Sequence, residues 1–386
     1  MGSNTGRWWG RRAAALLLTL CLCGCATGHP VVDISVLRRG PLLTYLGQRQ
    51  LEFGATLDGT AIGGLSGISY DAGRRIYYAI SDDRSKIGPA RFYDVRITLS
   101  DSGIESVDVV AAHPLLDAGG HPFGSLDRRS VPPVVPPDPE GIAFDATRQR
   151  LYWSSEGERL TDGDPVLADP SVGIAGLDGG YLGRFDVPAD LKMSTQRTGP
   201  RRNKALEGLT LTPGGAAVFA AMEGPGYNDG RKSNGADPVL TRITRFDAAT
   251  GAATAQYVYP MEPPGPGAGH NGVPDLVALS DTGFLVLERS SAMPPVIRIY
   301  RADIGAASNI LDMPSTQGAA LKPMRKSLAI DLSQVMAGSA DLADPLDNVE
   351  GITLGPKLPD GRQSVVLVSD DNFSPIQTTQ FLLLAM

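Results

Sequence analysis

The residues of this chain best suited to chemistry are carboxylates, and they recur in one phrase. Glu140-Gly141-Ile142-Ala143-Phe144 leads through a turn into Leu151-Tyr152-Trp153-Ser154-Ser155-Glu156. The phrase returns as Glu207-Gly208-Leu209-Thr210-Leu211 with a second run ending at Glu223. It returns again as Glu350-Gly351-Ile352-Thr353-Leu354 with a run ending at Asp370-Asp371. Weaker copies begin at Ser66-Gly67 and end at Asp82-Asp83, or begin at Asp275-Leu276 and end at Glu288. Acids repeated in this way suit the holding of a hard cation.

The elements that must carry these acids are short strands. Each run alternates apolar with polar residues and is bounded by Gly, Pro, Asn or Asp, which is the pattern of an all-β chain. After residue 30 only Ser327 to Met336 reads as a short helix. Third and fourth strands follow the pairs, for example Ala90 to Ile97, Gly180 to Phe185, Thr241 to Phe246, Val296 to Tyr300 and Gln380 to Leu384. Five copies of a four-stranded antiparallel unit predict a β-propeller of five blades, or six if a degenerate blade hides in the N-terminal segment or between Asp312 and Asp347. The orphan strand Leu42 to Phe53 is expected to pair with the last blade and close the ring, removing two open edges.

In such a ring the first strand of each blade lines the channel and the second runs antiparallel to it. The acids before the first strands and after the second strands therefore meet at one mouth. Two ionised carboxylates ~5 Å apart at an effective dielectric of ~20 repel by roughly 3 kcal/mol, so the ring requires a cation, neighbouring Arg or Lys, or protonation. Oxygen ligands point to Ca²⁺; Zn²⁺ would want His or Cys, which are scarce here. The expected catalytic acids are Glu207, Glu223, Glu288 and Glu350, and the expected metal ligands Asp82, Asp83, Glu140, Glu156, Asp370 and Asp371. Arg84, Lys204 and Arg289 are the expected substrate-binding bases, with Arg201, Arg202, Asn203, Asn271, Asn348 and Asn372 beside them. The strand-start acids also admit a structural reading, in which they accept backbone N–H groups of the next blade.

The long intervals 113–137, 157–178, 224–238, 260–271 and 313–346 are rich in Gly, Pro and Asp. In repeat proteins such insertions wall a binding face. The segment Arg197 to Lys204 could clamp an anion above the channel or be a solvated loop. Tyr77, Tyr78, Tyr152, Trp153 and Phe219 lie inside strands and are expected to pack between blades.

The N-terminus reads as an export segment. Arg7, Arg11 and Arg12 precede an apolar stretch too short to span a bilayer, then Leu22-Cys23-Gly24-Cys25, which resembles a bacterial lipobox with Cys25 as the lipidated residue. The division is 1–24 signal peptide, 25–40 tether and 41–386 propeller. Ala26 and Thr27 after the Cys point to the outer membrane facing the periplasm. All three cysteines lie in this segment, so the propeller has no disulfide and relies on its core. Loss of residues 1–24 removes three Arg and no acid, taking the formal net charge from −7 to −10. That balance argues against nucleic acid as a partner; a small-molecule ester or phosphate-bearing ligand and a monomeric state are expected.

Taken together, Gly64-Leu65-Ser66-Gly67-Ile68, Asp138-Pro139-Glu140-Gly141-Ile142, Asn203-Lys204-Ala205-Leu206-Glu207-Gly208, Leu287-Glu288-Arg289 and Asn348-Val349-Glu350-Gly351 with Ser369-Asp370-Asp371-Asn372 resemble the phytase-like family described as having esterase-like activity. The resemblance covers about residues 45–386. It implies a propeller and hydrolysis of phosphate or carboxylate esters; the related alkaline phytases are Ca²⁺-dependent propellers. No phytase catalytic set maps onto this chain residue by residue.

Other hydrolase chemistries fit poorly. There is no G-x-S-x-G elbow, and Gly64-Leu65-Ser66-Gly67 falls one residue short of one. A histidine acid phosphatase is excluded because its R-H-G motif is missing; of the four His, His270 is best placed for chemistry. Two functions stay open: a metal-assisted ester hydrolase, and a non-catalytic binding propeller with a structural metal.

Overall fold

The computed structural model describes residues 42–265, 269–292, 294–338 and 345–386. The expected signal peptide, Cys25 and the tether lie outside these residues. Each repeat phrase forms the inner half of a four-stranded antiparallel sheet, and five such sheets make a five-bladed propeller.

Blade 1 comprises Leu65–Asp71, Ile76–Ser81, Arg91–Ser100 and Gly103–Pro114. Blade 2 comprises Pro139–Asp145, Arg150–Ser155, Ser171–Ala175 and Tyr181–Asp186. Blade 3 comprises Leu206–Leu211, Ala217–Met222, Val239–Asp247 and Ala253–Met261. In blade 4 the inner strand is split into Asn271–Gly272 and Leu276–Ala278, because Pro274 between them has no N–H to give to a ladder. Gly283–Ser290, Ile297–Asp303 and Arg325–Asp331 complete it. Blade 5 takes Val349–Lys357, Gln363–Ser369 and Gln380–Ala385 from the C-terminus and Thr44–Gln50 from the N-terminus. Thr44 faces Ala385 and Gln50 faces Gln380, so the ring is closed by pairing the two ends of the domain.

The count is five rather than six, since both stretches suspected of hiding a blade supply an outermost strand. The interval 157–178 is not a plain insertion: it holds the third strand of blade 2. That strand, Ser171–Ala175, carries Gly173 opposite Trp153, and a glycine under an indole erases the alternation by which a strand is read. Gly180 to Phe185 is therefore the fourth strand of blade 2. Of the stretch expected to be helical, only its end turns, as Leu332–Ala337 after the strand Arg325–Asp331. Asp331 caps this helix, accepting from the Gln334 amide at 3.1 Å.

The core is divided into five apolar clusters, one between each pair of adjacent blades. Strand alternation explains how one strand serves two of them. Tyr77 faces blade 5 and Tyr78 faces blade 2, with both buried. Tyr152, Trp153 and Phe219 pack in the same way, and the Phe219 and Phe284 rings meet edge-on at 4.8 Å across the blade 3–4 interface.

Candidate active site at the channel mouth

The recurring acid–Gly pair has two separate physical causes. The glycine is set by the narrowness of a five-bladed ring. A Cβ on Gly67 would lie 2.5 Å from the Glu140 carbonyl oxygen, and one on Gly141 would lie 2.6 Å from that of Glu207. Inner strands this close tolerate no side chain. The residue before the glycine is turned by a bulge: the register of the inner strand slips between Leu65 and Gly67, Pro139 and Ile142, Leu206 and Leu209, and Val349 and Gly351. Bulges of this kind re-aim side chains, and here they sit at the acids.

The acids converge on a cavity of about 230 Å³ lined by Asp82, Glu140, Glu207, Glu223, Glu350 and Asp370, with Lys204, Arg289, Asn203, Asn348 and Asn372. Glu156 and Asp138 lie immediately behind. Carboxylate oxygens of Asp82, Asp138 and Glu140 fall within 4.8 Å of one another, as do those of Glu140, Glu156 and Glu207. These clustered groups could hold a metal ion.

Three bases partly compensate the charge. Lys204 Nζ pairs with Glu223, and Arg289 pairs with Glu350 at 2.6 Å while lying 3.9 Å from Glu223. Arg84 Nε donates to Asp138 at 2.5 Å, and its terminal nitrogens lie 3.9 Å from Glu156 and 3.8 Å from Glu158. The compensation is incomplete. Burial, then the Asp138 charge, pushes Asp82 up to about 8; burial, then the Glu156 charge, pushes Asp138 up to about 7. Burial and the Glu223 charge bring Glu156 up to about 7, and burial brings Glu350 to about 7 against the pull of Arg289. Glu140, Glu207 and Asp370 are raised well above the usual carboxylate range by burial and then by their acidic neighbours. Glu156 Oε1 accepts from the Ala205 amide at 2.5 Å, whereas its buried Oε2 has no hydrogen-bond partner among the described residues.

Other expected site residues are placed elsewhere. Glu288 points away from the mouth, because adjacent residues of a strand face opposite sides and Arg289 takes the inward position. Its carboxylate is saturated between blades 3 and 4 by Tyr259 and Lys326, both at 2.7 Å, by Asn271 at 2.7 Å and by the Glu262 amide at 3.0 Å. Asp83 closes a loop, accepting from the amides of Lys86, Ile87 and Gly88 and from Arg91 at 2.7 Å. Asp371 accepts from the amides of Gly64 at 2.8 Å and Phe373 at 3.0 Å, joining blade 5 to blade 1. Asp275 follows the structural reading of the strand-start acids: it accepts from Leu209 N at 3.1 Å in blade 3 and from Ile352 N at 2.8 Å in blade 5. Ser66 donates to the Glu140 carbonyl at 2.8 Å, tying blades 1 and 2.

Asp138 is the site residue that the repeat did not single out. It stands two places before Glu140, where the corresponding positions are Gly64, Ala205 and Asn348, so no periodicity marks it. Glu158, held by Arg202 at 2.7 Å, is also missed, because it follows the strand end by three residues.

The family model "Phytase-like: Esterase-like activity of phytase" matches residues 60–373. The chain belongs to the phytase-like family. No curated protein matches it. Among solved structures it is similar to the exo-β-1,3-galactanase of Phanerochaete chrysosporium, at 12% identity and TM-score 0.45 over 86% of this chain and 64% of that one. The chain thus spans less than two thirds of that enzyme's length. A family-43 β-1,3-galactosidase gives 10% identity and TM-score 0.43 over 86% and 93% of the two chains. A gluconolactonase of Xanthomonas campestris gives 11% and 0.33 over 84% and 86%. Likeness this distant says nothing of chemistry.

Proposed function

We propose that this phytase-like propeller is a divalent-cation-dependent hydrolase of phosphate or carboxylate esters, exported and held at the outer membrane by a lipid on Cys25. The observation that carries the reading is the group Glu140, Glu156 and Glu207: buried carboxylates whose oxygens approach within 4.8 Å, with Glu156 Oε2 lacking a hydrogen-bond partner among the described residues. Hard oxygen donors without His or Cys suit Ca²⁺.

Glu140, Glu156 and Glu207 would hold the cation, with Asp82 and Asp138 sharing Glu140 as a second candidate group. A cation there would neutralise the carboxylates and act as a Lewis acid toward an ester oxygen. The chain's own cations stand beside it. Lys204 and Arg289 line the same cavity, and their cationic groups can pair with a substrate oxygen there. Asn203, Asn348 and Asn372 add neutral amides that orient a bound group without adding charge. A volume of about 230 Å³ admits a phosphoryl or acyl group.

The test is hydrolysis of a panel of phosphate and carboxylate esters by purified protein, with Ca²⁺ and with chelator. Calcium-dependent turnover that Glu207→Gln abolishes is expected. Turnover unaffected by chelator refutes the metal-assisted reading, and Ca²⁺ binding without turnover on any ester favours the binding propeller.

A further inference from the structure

One face of blade 2 lacks bulky side chains. Its third strand, Ser171–Ala175, turns Val172 and Ile174 toward blade 3, and its other face carries only Ser171, Gly173 and Ala175. The third strand of blade 5, by contrast, sets Phe381 and Leu383 on one face and Leu382 and Leu384 on the other. The small residues leave a trough beside Trp153, whose indole lies directly over Gly173: a Cβ there would meet the indole Cε2 at 2.2 Å and Nε1 at 2.4 Å. The interval 113–137 supplies Phe123, Val135, Pro136 and Pro137 to the same trough, and a cavity of about 290 Å³ remains.

Two buried donors lining this cavity are unused. Trp153 is 7% exposed, and its indole N–H gives no hydrogen bond among the described residues. Ser155 is 4% exposed; its hydroxyl oxygen accepts from the amides of Asp138 at 3.1 Å and Gly157 at 3.4 Å, while its proton has no acceptor among the described residues. Acceptors stand opposite. Asp169 uses one oxygen for the Met193 amide at 2.7 Å and forms no ion pair among the described residues. Asp117 is held below the usual carboxylate range by the His121 and Gly119 amides. Arg184, the one cation among the lining residues, already pairs with Asp186 at 3.2 Å.

These groups select a ligand class. An anion would face Asp117 and Asp169, and a cation would leave both donors unmet. A hydroxyl both donates and accepts, and a ring that carries hydroxyls at its rim can lay its C–H groups on the indole and proline walls. We propose that this cavity binds a neutral sugar unit, a single pyranose ring, at a site that shares no lining residue with the acidic mouth. Its volume suits one ring, lying at the small end of the roughly 300–1,000 Å³ usual for small-molecule sites. The sugar site does not depend on the hydrolase reading.

The experiment is saturation-transfer NMR and calorimetric titration of the full chain, solubilised in a detergent without a sugar headgroup and kept in EDTA. The probes are the methyl glycosides of glucose, galactose, mannose and N-acetylglucosamine, and separately choline and acetate. Saturable binding of at least one glycoside is expected. Trp153→Phe keeps a ring without the N–H and should weaken it about threefold or more, and Asp169→Asn about tenfold, as expected for a neutral and a charged hydrogen bond; Glu207→Gln at the mouth should leave it unchanged. Asp169 is exposed and Asn keeps an acceptor for the Met193 amide, so that variant decides the matter if Trp153→Phe does not fold. No saturable binding of any of the four glycosides overturns the proposal, as does binding that both cavity variants leave intact or that Glu207→Gln abolishes. Binding of choline or acetate that the cavity variants weaken assigns the cavity to a charged ligand and overturns it as well.

Discussion

Glu156→Gln should make the metal-free protein more stable at pH 8 and unresponsive to calcium. Glu156 is 1% exposed, and its carboxyl is raised from 4.5 to about 7 by burial and the neighbouring Glu223 charge. An acid whose folded value is raised contributes stability that is complete below the unfolded value and is lost as pH rises through the folded one. The window is therefore about pH 4.5 to 7. At about 1.4 kcal/mol per pH unit, ionising this one group costs the wild type about 3 kcal/mol by pH 8. Gln is isosteric, keeps an acceptor for the Ala205 amide and never ionises. For about 345 residues the unfolding entropy is about 0.7 kcal/mol/K, so 3 kcal/mol is about 4 °C in Tm. Thermal unfolding in EDTA should show no difference at pH 4.5 and the variant about 4 °C higher at pH 8. Calcium at a hundredfold excess over its Kd should then raise the wild type by about 2.7 kcal/mol, again about 4 °C, and leave the variant where it was. A variant less stable than wild type at pH 8 in EDTA, or one that calcium stabilises equally, refutes both the repulsion and the ligand assignment.

Asp275→Ala leaves the Leu209 and Ile352 amides without their acceptor and should cost about 3 kcal/mol or more in urea unfolding, with the calcium affinity per folded molecule unchanged. Gly141→Ala forces a Cβ to within 2.6 Å of the Glu207 carbonyl and should destabilise by about 1–3 kcal/mol; an unchanged urea midpoint would contradict the close approach of the inner strands. Glu350→Gln removes the 2.6 Å pair with Arg289, and any ester turnover should fall by roughly tenfold or more as that guanidinium loses its orientation. Cys25→Ser should abolish incorporation of radiolabelled fatty acid and leave unprocessed precursor; normal anchoring of that variant would dismiss the lipoprotein assignment.

The five-bladed ring, its closure by Thr44–Gln50, and the meeting of Glu140, Glu207, Glu350 and Asp82 at one mouth follow from features that are local in the chain. Alternation with period two and an acid–Gly pair at a fixed distance from each hairpin suffice, because antiparallel pairing returns the second strand to where the first began. What each acid does there was decided between blades. Glu288 and Glu223 both follow apolar runs, yet Glu223 lines the mouth while Glu288 is saturated by Tyr259 and Lys326, 29 and 38 residues away. Asp370 enters the cavity and its neighbour Asp371 binds Gly64 N, 307 residues distant. The chain shows which charges exist, but hydrogen-bond saturation and burial are set by contacts far apart in sequence. Composition and period determined the scaffold of this protein. Only the packing of one blade on the next determined which carboxylates were left unpartnered, and therefore where a cation or substrate could act.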